Sequence, residues 1–259
     1  MNLLDSALIL LGGLWAGTIN TVVGSGTLVT FPILIALGVA PVMAVVSNAM
    51  GLIAGGVSGV WGYRRELEGM RRNLLTLMPA SVLGGITGAY LLLHLPESVF
   101  QYAAPVLIVL ALTLVVLQPR LQRAIKARRE VAGSDRSHTA VMVALIFATG
   151  VYGGYFVAAQ GVLLVAILGI FMSGTLQNAN AVKNVLTLSV NVVAAISYLL
   201  FAPEKIIWVI VGLIAVSSLL GGFLGARIGR KLPPLILRSV IVTLGLVALF
   251  FMVQKLLVP

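Results

Sequence analysis

Cysteine is missing from the 259 residues, which removes disulfides, thiolate nucleophiles and Cys-ligated metals while leaving the compartment open. Charge is scarce too. Asp, Glu, Lys and Arg make up 9% of the chain, against about 25% in an ordinary soluble domain, so a water-soluble core is excluded. The seven acidic residues, Asp5, Glu66, Glu68, Glu97, Glu130, Asp135 and Glu204, fall at span ends or in loops. Intramembrane carboxylates are the usual cation ligands and proton relays, so their absence counts against a cation or metal carrier. The two histidines, His94 and His138, lie in loops and form no metal-ligand spacing. No cofactor is expected, and neither is an enzyme, since no span holds a His, Asp or Glu to activate a serine or bind a metal.

What the chain has is apolar surface. It is 60% hydrophobic, its mean hydropathy is +1.12, and apolar stretches near the ~20 residues of a bilayer crossing recur from Leu8 to Val258. The alternation of a membrane β-barrel is missing, so the sequence predicts an all-α integral membrane protein. The opening Met-Asn-Leu-Leu-Asp5 has no basic run, and the first apolar stretch is expected to be a membrane element rather than a cleaved signal. The formal charge of +10 is spread over short loops between spans, where basic residues set orientation. The expected partners are therefore the lipid bilayer and a small solute, with no nucleic acid.

The chain repeats itself. Gly84-Gly85-Ile86-Thr87-Gly88-Ala89 matches Gly221-Gly222-Phe223-Leu224-Gly225-Ala226, Leu95-Pro96 recurs as Leu232-Pro233, and Gly13-Leu14-Trp15-Ala16-Gly17 echoes Gly150-Val151-Tyr152-Gly153-Gly154, all in one register. Residues 1–118 form a first repeat: an interrupted segment over 6–38, broken near Asn20–Thr27, then spans near 42–62, 74–93 and 99–118. Residues 139–259 form the second, with an interrupted segment over 140–174 and spans near 180–202, 206–226 and 235–256. A basic linker, 119–138, joins them.

Three basic clusters set the orientation. They are Arg64, Arg65, Arg71 and Arg72; Arg120, Arg123, Lys126, Arg128, Arg129 and Arg136; and Arg227, Arg230, Lys231 and Arg238. All can be cytoplasmic only if each interrupted segment is a helical hairpin returning to its starting side. The halves are then inverted, with both termini outside, as in many transporters. Trp15, Trp61, Tyr63 and Trp208 read as interface anchors, and the Gly84/Gly88, Gly221/Gly225 and Gly51/Gly55 pairs as close helix contacts.

One basic residue stands apart from the clusters: Lys183, within Gln177-Asn178-Ala179-Asn180-Ala181-Val182-Lys183-Asn184. An ammonium at membrane depth either meets an anion or snorkels to headgroups, and both readings stand. Asn180, Lys183 or Asn184, Thr187 and Asn191 follow at three- or four-residue steps, so they form one polar stripe. It faces either a cavity or neighbouring helices. Ser47-Asn48 is its counterpart in the first repeat. The first hairpin break gathers Asn20, Thr21, Gly24, Ser25, Gly26 and Thr27, where backbone N–H groups at a helix start suit an anion and a simple capped turn is the other reading. Its counterpart in the second repeat contains Gln160 and Gly161.

The segments Ala16-Gly17-Thr18-Ile19-Asn20-Thr21-Val22-Val23-Gly24-Ser25-Gly26-Thr27-Leu28, Phe31-Pro32, Ser47-Asn48, and Asn178-Ala179-Asn180-Ala181-Val182-Lys183-Asn184-Val185-Leu186 followed by Val190-Asn191 resemble the sulfite exporter TauE/SafE family. The resemblance covers nearly the whole chain. It implies a bacterial inner-membrane transporter for sulfite, a sulfonate such as sulfoacetate, or a related small anion, driven by the proton motive force. Two departures bear on the substrate: Ser47 stands where the family commonly has threonine, and Ala159-Gln160-Gly161 where many members are richer in glycine. The expected mechanism is alternating access around a site between the repeats. A non-transporting scaffold or a passive anion pore is the alternative, and a homodimer is the expected assembly.

Overall fold

The computed structural model describes residues 2–131, 139–228 and 234–257. Asp135, Arg136, His138, Arg230, Lys231 and Leu232-Pro233 lie outside these residues, as do the side chains of Lys126, Arg128, Arg129, Glu130 and Arg238.

Every regular element among the described residues is helical. The first interrupted segment is α1 (Leu3–Val22) and α2 (Thr27–Ala36), followed by α3 (Pro41–Gly62), α4 (Arg71–His94) and α5 (Glu97–Val131). The second is α6 (Thr139–Tyr155) and α7 (Gln160–Phe171), followed by α8 (Leu176–Phe201), α9 (Trp208–Ile228) and α10 (Pro234–Leu257). Six helices, α1, α3, α4, α8, α9 and the Glu97–Arg120 part of α5, are long and apolar enough to cross a membrane. Their outward faces are apolar as a lipid-facing surface must be, with Tyr102, Val106, Leu200 and Phe250 all well exposed. The chain is an all-α integral membrane protein.

The hairpins are unequal. With 10 and 12 residues, α2 and α7 reach about 15 and 18 Å at ~1.5 Å per residue, about half of the ~30 Å hydrocarbon core. Neither second arm is long enough to cross that core as a single helix. The start of α2 returns along α1: a Cβ at Gly26 would meet Ala16 O and Asn20 Cβ, and one at Gly12 would meet Ile33. Helix α5 runs past the expected end of its span to Val131. Residues 120–131 are rich in Arg, Gln, Ala and Lys, good helix formers without an apolar run, so the helix continues after leaving the membrane.

Packing crosses between the halves. Helix α1 lies on α9 and α6 on α4; α3 also meets α9, and α8 meets α4; α2 meets α10, and α7 meets α5. The repeated glycine motifs are these contacts. A Cβ at Gly84 or Gly88 would strike the α6 backbone at Phe147 or Val151, and one at Gly221 or Gly225 would strike α1 at Leu14 or Thr18. Ser81 and Ser218, related by the same offset as Gly84 and Gly221, are fully or almost fully buried and donate to Leu186 O (3.4 Å) and Gly51 O (3.1 Å) respectively. Close backbone approach and these hydroxyl bonds fix α4 on α8 and α9 on α3.

Trp61 and Trp208 stand at helix ends, half exposed or more, as interface anchors do. Tyr63 does not. At 1% exposure it is buried beyond the last turn of α3, because the chain folds inward there into the 3₁₀ turn Arg64–Leu67.

The absence of cysteine allows a direct check of the α3/α8 contact. A β-carbon at Gly56 would stand 3.6 Å from that of Leu188, within the ~3.5–4.5 Å range of disulfides. Gly56→Cys/Leu188→Cys is expected to crosslink near-completely with mild oxidant in membranes. A reducible shift in electrophoretic mobility after proteolysis between the two positions reports it, and no crosslink would reject this packing.

Candidate functional site

The two hairpin turns meet inside the molecule. Gly24, at φ +86°, touches Gly161 backbone to backbone, and the Gly161 N–H donates to Gly24 O at 3.0 Å. The stem of Lys183 lies against both: a Cβ at Gly24 or Gly161 would stand 3.2 or 2.9 Å from its Cδ. Any side chain at either glycine would push the turns apart or displace the lysine. The second turn reaches this place with less suitable residues, since Val157 and Ala159 have φ of +68° and +58°. Positive φ is unfavourable for any residue with a Cβ and most of all for a β-branched one, so the 156–159 turn stores strain at the meeting point.

Lys183 is wholly buried. Its Nζ donates to Asn20 O at 2.9 Å and Thr21 O at 3.2 Å, and no carboxylate pairs with it among the described residues. Those carbonyls belong to the last turn of α1, where unsatisfied C=O groups and the helix dipole favour a cation. Asn180 Nδ2 adds a bond to Thr21 O at 3.3 Å. Helix α8 thus caps the open end of α1 with a cation and an amide. An ammonium has three N–H groups, so a third stays available to a solute.

In the turns beside this cap, farther along α8 and on α6 are buried polar atoms with no protein hydrogen-bond partner: Ser25 Oγ, Tyr152 Oη, Gln160 Oε1 and Nε2, Asn180 Oδ1, Asn184 Nδ2, Thr187 Oγ1 and Asn191 Oδ1. At ~1–3 kcal/mol per buried unsatisfied group, this set would consume a usual fold stability of ~5–15 kcal/mol. Such atoms are satisfied by an ordered water or by a bound polar solute. Asn180, Asn184, Thr187 and Asn191 run along one face of α8 for about 16 Å. Gln160 opens α7 and packs against Gly153, and Ser25 lies in the first turn.

Other residues singled out from the sequence are engaged within the protein. Asn48 accepts from Thr30 Oγ1 and donates to Thr27 Oγ1 at 3.1 Å, pinning α2 to α3. Ser47, one residue earlier, accepts from the Ile207 N–H at 3.0 Å and holds the start of α9. Thr21 Oγ1 bonds back to Gly17 O at 2.9 Å, Gly26 lets α2 close on α1, and Asn20 is half-buried with its carbonyl on Lys183. Tyr152 was not singled out as a polar contributor. Its signal is a lone hydroxyl-bearing ring within Gly150-Val151-Tyr152-Gly153-Gly154, in an otherwise small and apolar run.

The profile of the family described as Sulfite exporter TauE/SafE matches residues 9–252. A probable membrane transporter protein of Escherichia coli K12, YfcA, is 27% identical over 84% of this chain and 76% of its own length. A probable membrane transporter protein of Haemophilus influenzae is 22% identical over 90% of this chain and 88% of its own. No solved structure gives a significant match.

Proposed function

This chain belongs to the sulfite exporter TauE/SafE family, and on that premise we propose that it is a secondary transporter of a small sulfur-containing or carboxylate anion, such as sulfite or sulfoacetate. It is a multi-pass membrane transporter of the bacterial inner membrane. The observation that carries the finer reading is the set of unpartnered polar atoms in the hairpin turns and along α8, together with a buried ammonium that has no carboxylate partner among the described residues. Ser25, Tyr152, Thr187, Gln160 and Asn184 each contribute an unpartnered donor-capable atom, and an oxyanion takes such donors and a lysine together.

In this reading the halves are inverted repeats, residues 1–118 and 139–259, joined by the cytoplasmic 119–138 stretch. The cross-packing of each hairpin on the other half supports it, as does the Gly24–Gly161 pair, which sits at equivalent positions of the two halves. Solute passage requires the two turns to part, and the strained second turn is the element placed to move. A passive pore needs a standing opening, whereas turns in backbone contact favour a gated carrier. Lys183 and the α8 stripe hold the solute, while Asn48, Ser47 and Thr27 hold the helices that frame it.

Counterflow tests this. Proteoliposomes preloaded with unlabelled anion are expected to accumulate labelled sulfite, sulfoacetate or a simple carboxylate transiently and saturably, and the one preferred identifies the class of anion carried. Flux that is linear in concentration would make the protein a pore, and no flux for any of the three would leave a scaffold.

A further inference from the structure

A second polar pocket lies away from the hairpin turns, where α3 and α9 end together. It encloses about 360 Å³ and is lined by Trp61, Arg64, Arg65, Glu66, Phe223 and Arg227, among others. Its floor is aromatic: Trp61 and Phe223 meet edge to face with centroids 5.5 Å apart. The Arg64 guanidinium lies 4.2 Å above the Trp61 ring and donates to Trp61 O at 3.0 Å. Cation–π contact and that bond hold Arg64 in place. Arg65 and Arg227 are exposed and have no ion-pair partner among the described residues. Three guanidiniums against the single carboxylate of Glu66 give the pocket a net positive charge.

Directly below the pocket the same two helices present apolar side chains outward. Val57 and Trp61 are one turn apart on α3, Val216 and Leu219 one turn apart on α9 on the side whose Gly222 and Ala226 meet α3, and all four are 37–62% exposed. Guanidiniums at the end of two spanning helices, above an exposed apolar strip, match a phosphate joined to an acyl chain. A soluble phosphate would use the first feature and leave the second idle.

We propose that this pocket binds the phosphodiester headgroup of an anionic phospholipid of the cytoplasmic leaflet, with an acyl chain along Val57, Trp61, Val216 and Leu219. The lipid then rests on the α3/α9 contact, which Gly62 and Ala226 close at the same level. The inference does not depend on which solute is carried.

Native mass spectrometry of detergent-purified protein titrated with phosphatidylglycerol or phosphatidylcholine tests it. The wild type is expected to retain phosphatidylglycerol at least about tenfold more strongly, and Arg65→Gln/Arg227→Gln to lose that preference, since each basic residue near the headgroup contributes roughly fivefold. Both arginines are exposed, so the variant folds, which its unfolding temperature verifies. Equal retention of the two lipids, or a preference unchanged in the variant, would overturn the proposal. Glycerol phosphate at millimolar concentration is expected not to displace the bound lipid; displacement would assign the pocket to a soluble phosphate instead. As an independent readout, phosphatidylglycerol with brominated chains is expected to quench Trp61 in a Trp15→Phe/Trp208→Phe background more than brominated phosphatidylcholine does, and equal quenching would also count against the site.

Discussion

Lys183→Gln is expected to lower saturable anion counterflow by at least about 30-fold while leaving the protein inserted and folded. The charge is fully buried and has no carboxylate partner among the described residues, so an anion entering the site meets an unpaired cation in a low-dielectric surround. Removing one partner of such a pair costs ~2–5 kcal/mol, and ~1.4 kcal/mol is tenfold in affinity. Glutamine is the informative replacement. Its NH2 can still donate to Asn20 O or Thr21 O, which Lys183 now satisfies, so the cap on α1 is partly kept while the charge is lost. Lys183→Ala removes both and is expected to lower the unfolding temperature as well, because two buried helix-end carbonyls lose donors. Lys183→Arg keeps the charge, but a guanidinium cannot fit beneath Gly24 and Gly161, whose β positions already lie within about van der Waals contact of the lysine stem; it is expected to recover little transport. Wild-type counterflow in Lys183→Gln would show that the lysine serves only to cap α1.

Much of the fold was legible because apolar length and punctuation coincide. The span read at 42–62 is α3, Pro41–Gly62, opened by a proline at a helix start and closed before Arg64. The break read near Asn20–Thr27 is the turn between α1 and α2. Composition carries less information where the membrane ends, so α5 passes its expected limit: its polar continuation lacks the apolar signal of a span but keeps strong helix formers. The site was legible in kind and less so residue by residue. Ser47 and Asn48 read as one polar pair, yet neighbours on a helix point about 100° apart, and one holds α9 while the other holds α2. Sequence spacing places Asn180, Asn184, Thr187 and Asn191 on one face of α8, but it cannot tell a satisfied amide from an unsatisfied one. Only tertiary contact does that, and it also moves Tyr152 into the candidate site and Tyr63 into the interior.

Gln160→Leu is expected to stabilise the protein and stop transport at once. Gln160 is fully buried, and neither end of its amide has a protein partner. Leucine is a similar size and has nothing to satisfy, so the folded state sheds roughly 1–3 kcal/mol for each unpaired group removed, offset in part by imperfect packing against Gly153. The unfolding temperature in detergent is expected to rise by a few degrees. Transport moves the other way, because the replacement removes a donor and an acceptor next to the meeting point of the hairpin turns and puts hydrocarbon in their place. Counterflow is expected to fall at least about tenfold, the effect of losing one or two hydrogen bonds to a charged solute at ~1.5–3 kcal/mol each. Thr187→Val, which removes another unpartnered hydroxyl, is expected to show the same opposition more weakly. A core glutamine of purely structural use would give the reverse pattern, lower stability with transport reduced only in proportion to the protein that remains folded. The sign of the stability change therefore separates a polar group kept for the fold from one kept for a solute.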